Sequence, residues 1–483
     1  MTDVAERAVP LSRSGQGSHR GKPGIFAIFK GDLRALHAHQ AGFLGRLVDR
    51  TGGRLEQLGI KARFRISICP PLTLLNGLRR QPLTPADFIH RFYLEGLWRE
   101  RTFAGKLRLV LGLIFISLPV NLAAMLWWTA INGPAISKRT GKSLARLMRE
   151  QLAMSLRHNI MSPWYFQFDL HDDAKRQRAA DYLHRFELKG GCYRALKPQV
   201  DRQLLKNLSN KELFHARCRE KKIPSVNQLA CVVQGEWRWQ DDTVNALPRC
   251  DLFIKPRSGR GGFGAARWDY DGSSRWISGE LALGEAELIA HLTVISKKTP
   301  LVVQKRAVAH ADIADLSNGA LPTIRVLTFR NERGEFEPVG AAFRMAIGAN
   351  STVDNFHAGG ILANVDLASG RLGRATDIGL TPDIGWVDEH PDTKAAITGR
   401  RLPLWPEVLA LASRAHAAFS HRVLVGWDIA VAADGPCLVE GNVAPDSDLH
   451  QRASGEPLGG GRFGELLAYH LGYRRLDLQS PLT

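Results

Sequence analysis

The chain has 483 residues, 44% hydrophobic and 23% charged, a balance that excludes a disordered polypeptide and leaves room for about three domains. Its formal net charge of +18 is uneven: residues 1–108 carry 19 Lys and Arg against 8 Asp and Glu, so +11 of it sits there. Six scattered cysteines without a C-x-x-C pair exclude a disulfide scaffold and a zinc ribbon, and no apolar run with a small-residue cleavage site follows Met1, so a reducing compartment and no secretion signal are expected.

Residues 1–100 read as a basic region, disordered over its polar first twenty residues and periodic in apolar residues over 33–47 and 88–97. No chemical motif stands in it, and no basic pattern interleaved with aromatics marks a nucleic-acid module, so no specific nucleic acid is expected. Residues 101–150 centre on 109–131, LVLGLIFISLPVNLAAMLWWTAI, which holds no charge. As a helix it would be about 34 Å long, enough for a bilayer. Arg99, Arg101, Lys106 and Arg108 precede it and Lys138, Arg139, Lys142, Arg146 and Arg149 follow it, so the charge bias places both flanks on the cytoplasmic side. Pro119 removes an amide donor mid-run, with Ser117 and Asn121 near enough to satisfy the freed groups, and the pattern predicts a re-entrant helix-break-helix, a kinked span being the alternative. Membrane lipid is the expected partner of this basic, apolar block.

Residues 151–229 read as helical, with one helix expected over 201–219. From 230 to 475 the pattern turns to short β runs (LACVV, DLFIK, PLVVQK, TIRVLTF, PVGAAFRMA, VGWDIAVA, CLVEGN) with helical stretches at 284–295 and 405–421, which predicts an α+β domain.

The most informative stretch is 425–442. A three-residue loop at Ala433, Asp434 and Gly435 would set Ala432 opposite Pro436 and Asp428 opposite Glu440, and alternation puts Asn442 on the face of Glu440. Two carboxylates so close on a half-buried sheet require a neutralising cation, and the all-oxygen set Asp428, Glu440 and Asn442 suits magnesium. Upstream, Lys255 ends an apolar strand and a loop with Ser258, Gly259, Gly261, Gly262 and Gly264 follows, a lysine and backbone amides suited to phosphate oxygens. It lacks the G-K-[ST] of a Walker A loop and does not open a helix as a dinucleotide fingerprint would. Arg325 and Arg344 lie inside apolar strands and need anions. A polar loop with Asn355 and His357 ends in Gly359 and Gly360 and could line a substrate pocket.

In this order the motifs resemble the ATP-grasp superfamily over about residues 200–475, and details such as 318–325 (NGALPTIR), 353–360 and 440–451 are similar to its sugar-transfer-associated subgroup. The resemblance implies an α+β ATP-grasp fold of two lobes gripping ATP, preceded here by the basic, helical and membrane-associated region. It implies that Lys211 and Lys255 hold ATP phosphates, that Gln304 and Arg306 at the end of LVVQKR meet the adenine side, and that Asp428, Glu440 and Asn442 carry Mg2+. Arg325, Arg344 and Asn355 then serve the phosphoryl transfer. Where many members carry an acid near the end of the hinge strand, this chain has Gln-Lys-Arg. The family's usual reaction is an ATP-dependent carboxylate–amine ligation through an acyl phosphate, and the subgroup's name implies cell-envelope or exopolysaccharide biosynthesis. The expected substrate is a small molecule or lipid-linked saccharide, with polysaccharide-biosynthesis enzymes as partners, at the cytoplasmic face of the inner membrane. A phosphotransferase acting on a hydroxyl and a non-catalytic nucleotide-binding adaptor are the alternatives.

Overall fold

The computed structural model describes residues 73–74, 82–99, 101–241, 246–259, 264–348, 352, 354, 356 and 359–473. Most of the basic region 1–100 therefore lies outside the described residues.

Helix α1 (Pro85–Trp98) opens on a capping box between Thr84 and Asp87. Helices α2 (Phe103–Gly112) and α3 (Leu118–Thr140) are joined by a π-turn at Leu113–Ser117. Together they form one unbroken 38-residue helix from Phe103 to Thr140. The break expected at Pro119 is absent. The wider π-turn takes up the register just ahead of the proline, and the Asn121 side chain donates to the Ser117 carbonyl at 2.9 Å, so the helix continues. Gly141, in the left-handed conformation, ends it, and α4 (Leu144–His158) turns back along α3.

The helix expected over 201–219 is two: Arg202–Lys206 and α5 (Lys211–Glu220). Asn210 is the reason, because its side chain accepts from the Glu212 amide at 3.0 Å and starts a new helix with Lys211 as its first residue.

Every β run read from the sequence is a strand. The first sheet holds β1 (Gln228–Val233), β2 (Glu236–Trp239), β3 (Leu252–Pro256), β4 (Ala266–Tyr270), β5 (Arg275–Ser278), β6 (Leu281–Gly284) and β7 (Leu301–Lys305), in the order β2-β1-β7-β3-β4-β5-β6. Helix α6 (Glu285–Ser296) packs on it through Leu288 and Leu292, against Ile254, Trp268, Trp276 and Val303. The second sheet holds β8 (Thr323–Arg330), β9 (Phe336–Met345), β10 (Ile361–Val365), β11 (Leu372–Thr376), β12 (Trp386–Val387), β13 (Leu424–Ala432) and β14 (Gly435–Asn442), in the order β12-β11-β10-β9-β8-β13-β14. One of its faces buries Ile324, Val326, Phe343, Trp427 and Ile429 against α5 and α7 (Trp405–Ala418), forming the largest core. The opposite face carries the polar residues described below. Helices α8 (Ser447–Ser454) and α9 (Arg462–His470) follow β14.

The helical region before the sheets packs directly on the second lobe. Trp164 Nε1 donates to Asp448 at 3.0 Å, and the Gln451 side chain bonds both the amide and the carbonyl of Leu183. The α+β class and the two-lobe organisation stand as the sequence predicts.

Candidate ATP-grasp site

Side-chain alternation explains how the site assembles. Arg325 on β8 pairs directly with Asp428 on β13, and Asp428 pairs with Glu440 on β14. Thr323, Arg344 and Asn442 stand two residues along from positions on that same face, so six polar side chains project from one side of the second sheet. Gly426 makes room for them: a Cβ there would meet Pro445 at 2.7 Å and Arg325 Cδ at 3.2 Å.

The pairing of Asp428 with Glu440 arises by a different route from the one the sequence suggested. The loop is two residues, Ala433 and Asp434, so that Ala432 faces Gly435 and Ile429 faces Leu438. A bulge between Ile429 and Asp428 then skips Val439 and restores the expected match. Gly435 takes φ 118°, a conformation open to glycine at this tight reversal.

The acids do not depend on a cation alone. Arg325 grips Asp428 through Nε and, at 2.9 Å, through Nη2, and Arg344 Nη1 reaches the same carboxylate at 3.0 Å. Burial pushes the Asp428 carboxyl up, but the two guanidiniums outweigh it and hold it down at about 2. A divalent ion is therefore not required to offset Asp428, as the close pairing of two carboxylates suggests, because two arginines already neutralise it. Arg344 also meets Asp354 at 3.2 Å, and Thr323 Oγ1 donates to Asp354, an acid that the sequence reading passed over in favour of its neighbour Asn355.

Glu440 is left in a different state. Asn442 Nδ2 donates to it at 3.3 Å, and no Lys or Arg forms an ion pair with it among the described residues. Burial and the charge of Asp428 raise its pKa, with Lys255, Lys211 and Arg325 opposing. Among the described residues no group of three or more His, Cys, Asp or Glu side chains is placed to hold a metal, so a cation here would rest on two carboxylates and an amide. A carboxylate whose charge burial disfavours, beside a second one and an amide oxygen, fits a hard divalent cation such as Mg2+.

Two lysines, one from each lobe, stand near these acids without an anion in contact among the described residues. Lys255, 8% exposed, lies at the end of β3 and makes no hydrogen bond or ion pair among the described residues. Burial pulls its pKa down to about 8 against the attraction of Glu440. Lys211, at the start of α5, is likewise lowered by burial and likewise unpaired among the described residues. The two are linked by backbone, since the Lys211 amide donates to the Arg257 carbonyl at 3.1 Å. Glu212 holds Arg257 at 3.0 Å, which fixes the start of the glycine-rich loop to α5.

Ser258 and Gly259 stand exposed at the start of that loop, while Gly261, Gly262 and Asn355 lie outside the described residues. Gln304 shares a face with Phe253 and Lys255, but its amide is engaged by His215 Nε2 at 2.9 Å. Arg306 stays apart from the cluster, bridging Asp251 at 3.1 Å and Asp269. Sequence reasoning also missed His450 on α8. It is 3% exposed, burial and Arg325 lower its pKa to about 3, and its Nε2 lacks a partner among the described residues. Asp446, which Lys189 meets at 2.5 Å and Arg185 at 3.3 Å, was missed as well. Lys189 and Arg185 carry no motif, and folding alone brings them near residue 446.

No curated protein matches the chain by sequence. Among solved structures it is similar to an L-amino acid ligase from Bacillus licheniformis, with 10% identity, coverage of 63% of this chain and 59% of that one, and a TM-score of 0.35. It is also similar to a D-alanine–D-alanine ligase from Bacillus anthracis, with 15% identity, 55% and 66% coverage and a TM-score of 0.31. For an N5-carboxyaminoimidazole ribonucleotide synthetase in its ADP complex the values are 14%, 51% and 47%, and 0.30. The chain thus spans less than two thirds of the length of each of these proteins. Residues 194–461, more than half of the chain and all of the site just described apart from Arg185 and Lys189, match the family of sugar-transfer associated ATP-grasp proteins. The chain belongs to that family.

Proposed function

We propose that the protein is an ATP- and magnesium-dependent carboxylate–amine ligase. In this reading a substrate carboxylate attacks the γ-phosphorus of ATP to give an acyl phosphate and ADP. An amine then attacks the acyl carbon, expels phosphate and leaves an amide. The observation that carries the reading is the charge layout: Lys255 and Lys211 face Glu440 without an anion in contact, so the site gains stabilisation from a ligand that brings phosphates to the lysines and a cation to the acids.

Each residue then has a role. Lys211 and Lys255 bind phosphate oxygens from opposite lobes. Arg325 and Arg344, set beside the acids, stabilise the charge that develops on the transferred phosphoryl group. Asp428, Glu440 and Asn442 would hold magnesium, which supplies charge neutralisation between the phosphates when bound. Gln304 borders the adenine side, and Asn355 serves the acyl-phosphate step. No side-chain nucleophile is needed, because positioning and electrostatics carry phosphoryl transfer.

The substrate class we propose is a cell-envelope or exopolysaccharide precursor, a small molecule or a lipid-linked saccharide, handled at the cytoplasmic face of the membrane alongside polysaccharide-biosynthesis enzymes. The family's sugar-transfer association and the apolar helix Phe103–Thr140, of whose most apolar 18-residue window 18% is buried, support this placement. The test is incubation of the protein with magnesium ATP, candidate acids and candidate amines while ADP release is followed, with hydroxylamine added to trap acyl phosphate as a hydroxamate. ADP release that requires the acid, with hydroxamate formed, is expected. ADP release with phosphate retained on a hydroxyl product would contradict the ligase reading.

A further inference from the structure

The helix Phe103–Thr140 is apolar all round for two different reasons. Leu109, Leu113 and Ser117 toward one end of the helix and Trp128 and Ile136 toward the other are buried against the protein, while no residue from 118 to 127 is. Its outer side exposes Phe103, Leu107, Leu111, Phe115, Leu122 and Leu126, a stripe in which Phe115 is 71% and Leu126 59% exposed. Such a stripe over residues 103–127 is about 36 Å long. An isolated surface helix would be polar on one side, but here Leu109, Leu113, Trp128 and Ile136 turn that side to the protein at both ends, so high hydropathy does not by itself mean a span.

The two ends of the stripe settle the topology. On the N-terminal side, α1 packs on Leu109 and Leu113 through Tyr93 and Leu94. The same helix is fixed to the body, with Ile89 buried among Phe463, Leu466 and Leu467 of α9 and His90 bonded to Glu187 at 2.9 Å. On the C-terminal side, Trp128 and Ile136 pack with Leu147, Met154 and Trp164. There Asn132 donates to the carbonyl of Leu380, a residue of the ATP-grasp lobe, at 3.0 Å. Both ends of the apolar segment therefore dock on one folded body. A helix crossing the ~30 Å hydrocarbon core would leave its ends in two compartments.

We propose that this helix lies in the plane of one leaflet as a monotopic anchor, its outer stripe among the acyl chains of an anionic phospholipid surface. The inference rests on the membrane placement given above and replaces both the re-entrant dip and the kinked span. Charge complementarity favours lipid over a second copy of the chain: Arg99 ahead of the helix, Arg108 in its second turn and Lys138 and Arg139 in its last turn are exposed and basic, as headgroup contacts require. This arrangement also accounts for positive flanks on both sides of an apolar run, which a span cannot place on one side.

The experiment uses the full chain and vesicles of phosphatidylethanolamine and phosphatidylglycerol. Flotation is measured first, and then a fluorophore is attached to cysteines replacing Leu107, Phe115 and Leu122 in turn and quenched by lipids doxylated at carbon 5 or carbon 12. Flotation with stronger quenching from carbon 5 at all three positions is expected. Flotation with Phe115 quenched most by carbon 12 and the outer two by carbon 5 would overturn the in-plane anchor while leaving membrane association intact. Absence of flotation, with or without a stable dimer in solution, would overturn both. Phe115→Asp combined with Leu122→Asp is expected to lower the bound fraction at least tenfold and to leave ADP release in solution unchanged.

Discussion

The acid–arginine network and the two lysines present opposite electrostatic states to the same site. On the second sheet Arg325, Arg344, Asp428 and Asp354 satisfy one another at hydrogen-bond distance. Lys255 on the first lobe is buried over the Phe253 ring without an ion pair among the described residues, and Lys211, at the start of α5 on the second lobe, is close to that condition. One half of the site is thus folded into a self-consistent network, and the other holds buried ammonium groups whose charge burial disfavours. The difference teaches where stability and function coincide in this protein and where they conflict.

Substitutions on the two lobes should separate cleanly. Asp428→Asn and Glu440→Gln are each expected to lower ADP release by at least ~100-fold. Asp428→Asn should also cost about 3–5 kcal/mol in urea unfolding, since it leaves the Arg325 guanidinium without its acid and Arg344 with Asp354 alone. Glu440→Gln should unfold at the same urea concentration as the parent or a higher one, because its raised pKa reports a charge that burial already disfavours. Equal destabilisation by both variants would erase the contrast between them.

Lys255→Met is expected to do the reverse of Asp428→Asn, gaining on the order of 3 kcal/mol at pH 7 while losing nucleotide binding. The sign follows from the folded pKa of about 8, below the ordinary 10.5: between these values the unfolded chain binds the extra proton. Stability of the parent therefore rises as pH climbs through this window, and its deficit against Lys255→Met shrinks. A deficit independent of pH from 7 to 10 would place the effect elsewhere. By the same titration, nucleotide affinity of the parent should weaken above about pH 8, read by calorimetry across a pH series.

The smallest effect is expected at Arg306. Its guanidinium is already bridged to Asp251 and Asp269 and is partly exposed, so Arg306→Ala should cost under about 1 kcal/mol and change nucleotide affinity less than twofold. A tenfold loss would return Arg306 to the nucleotide site that the sequence resemblance implied.

Strand identities and the acid pairing were legible in the sequence because both rest on local alternation. Each β run is long enough to show period two or continuous burial, and acids inside apolar runs stand out. The hairpin shows how such reading works and fails: the loop is one residue shorter than supposed, and the bulge that skips Val439 makes up the difference. A bulge depends on contacts with neighbouring strands, which no single run displays. The split before α5 was visible in principle as Asn210, a helix-starting residue one position ahead of Lys211. What could not be read was long-range: the arginine clamp on Asp428, the pairing of Lys189 with Asp446 across more than 250 residues, and the docking of both ends of the apolar helix on one body. These depend on tertiary placement of side chains that carry no motif.

The measurement that tests the central claim most directly is isothermal titration of magnesium ATP into the parent protein and into Lys255→Met at pH 7, with thermal unfolding recorded on the same samples. The parent should show saturable uptake of the nucleotide. The variant should show none and should unfold at a higher temperature. Uptake of equal strength in both, or none in the parent, would contradict the account of a buried lysine held unpaired for a phosphate.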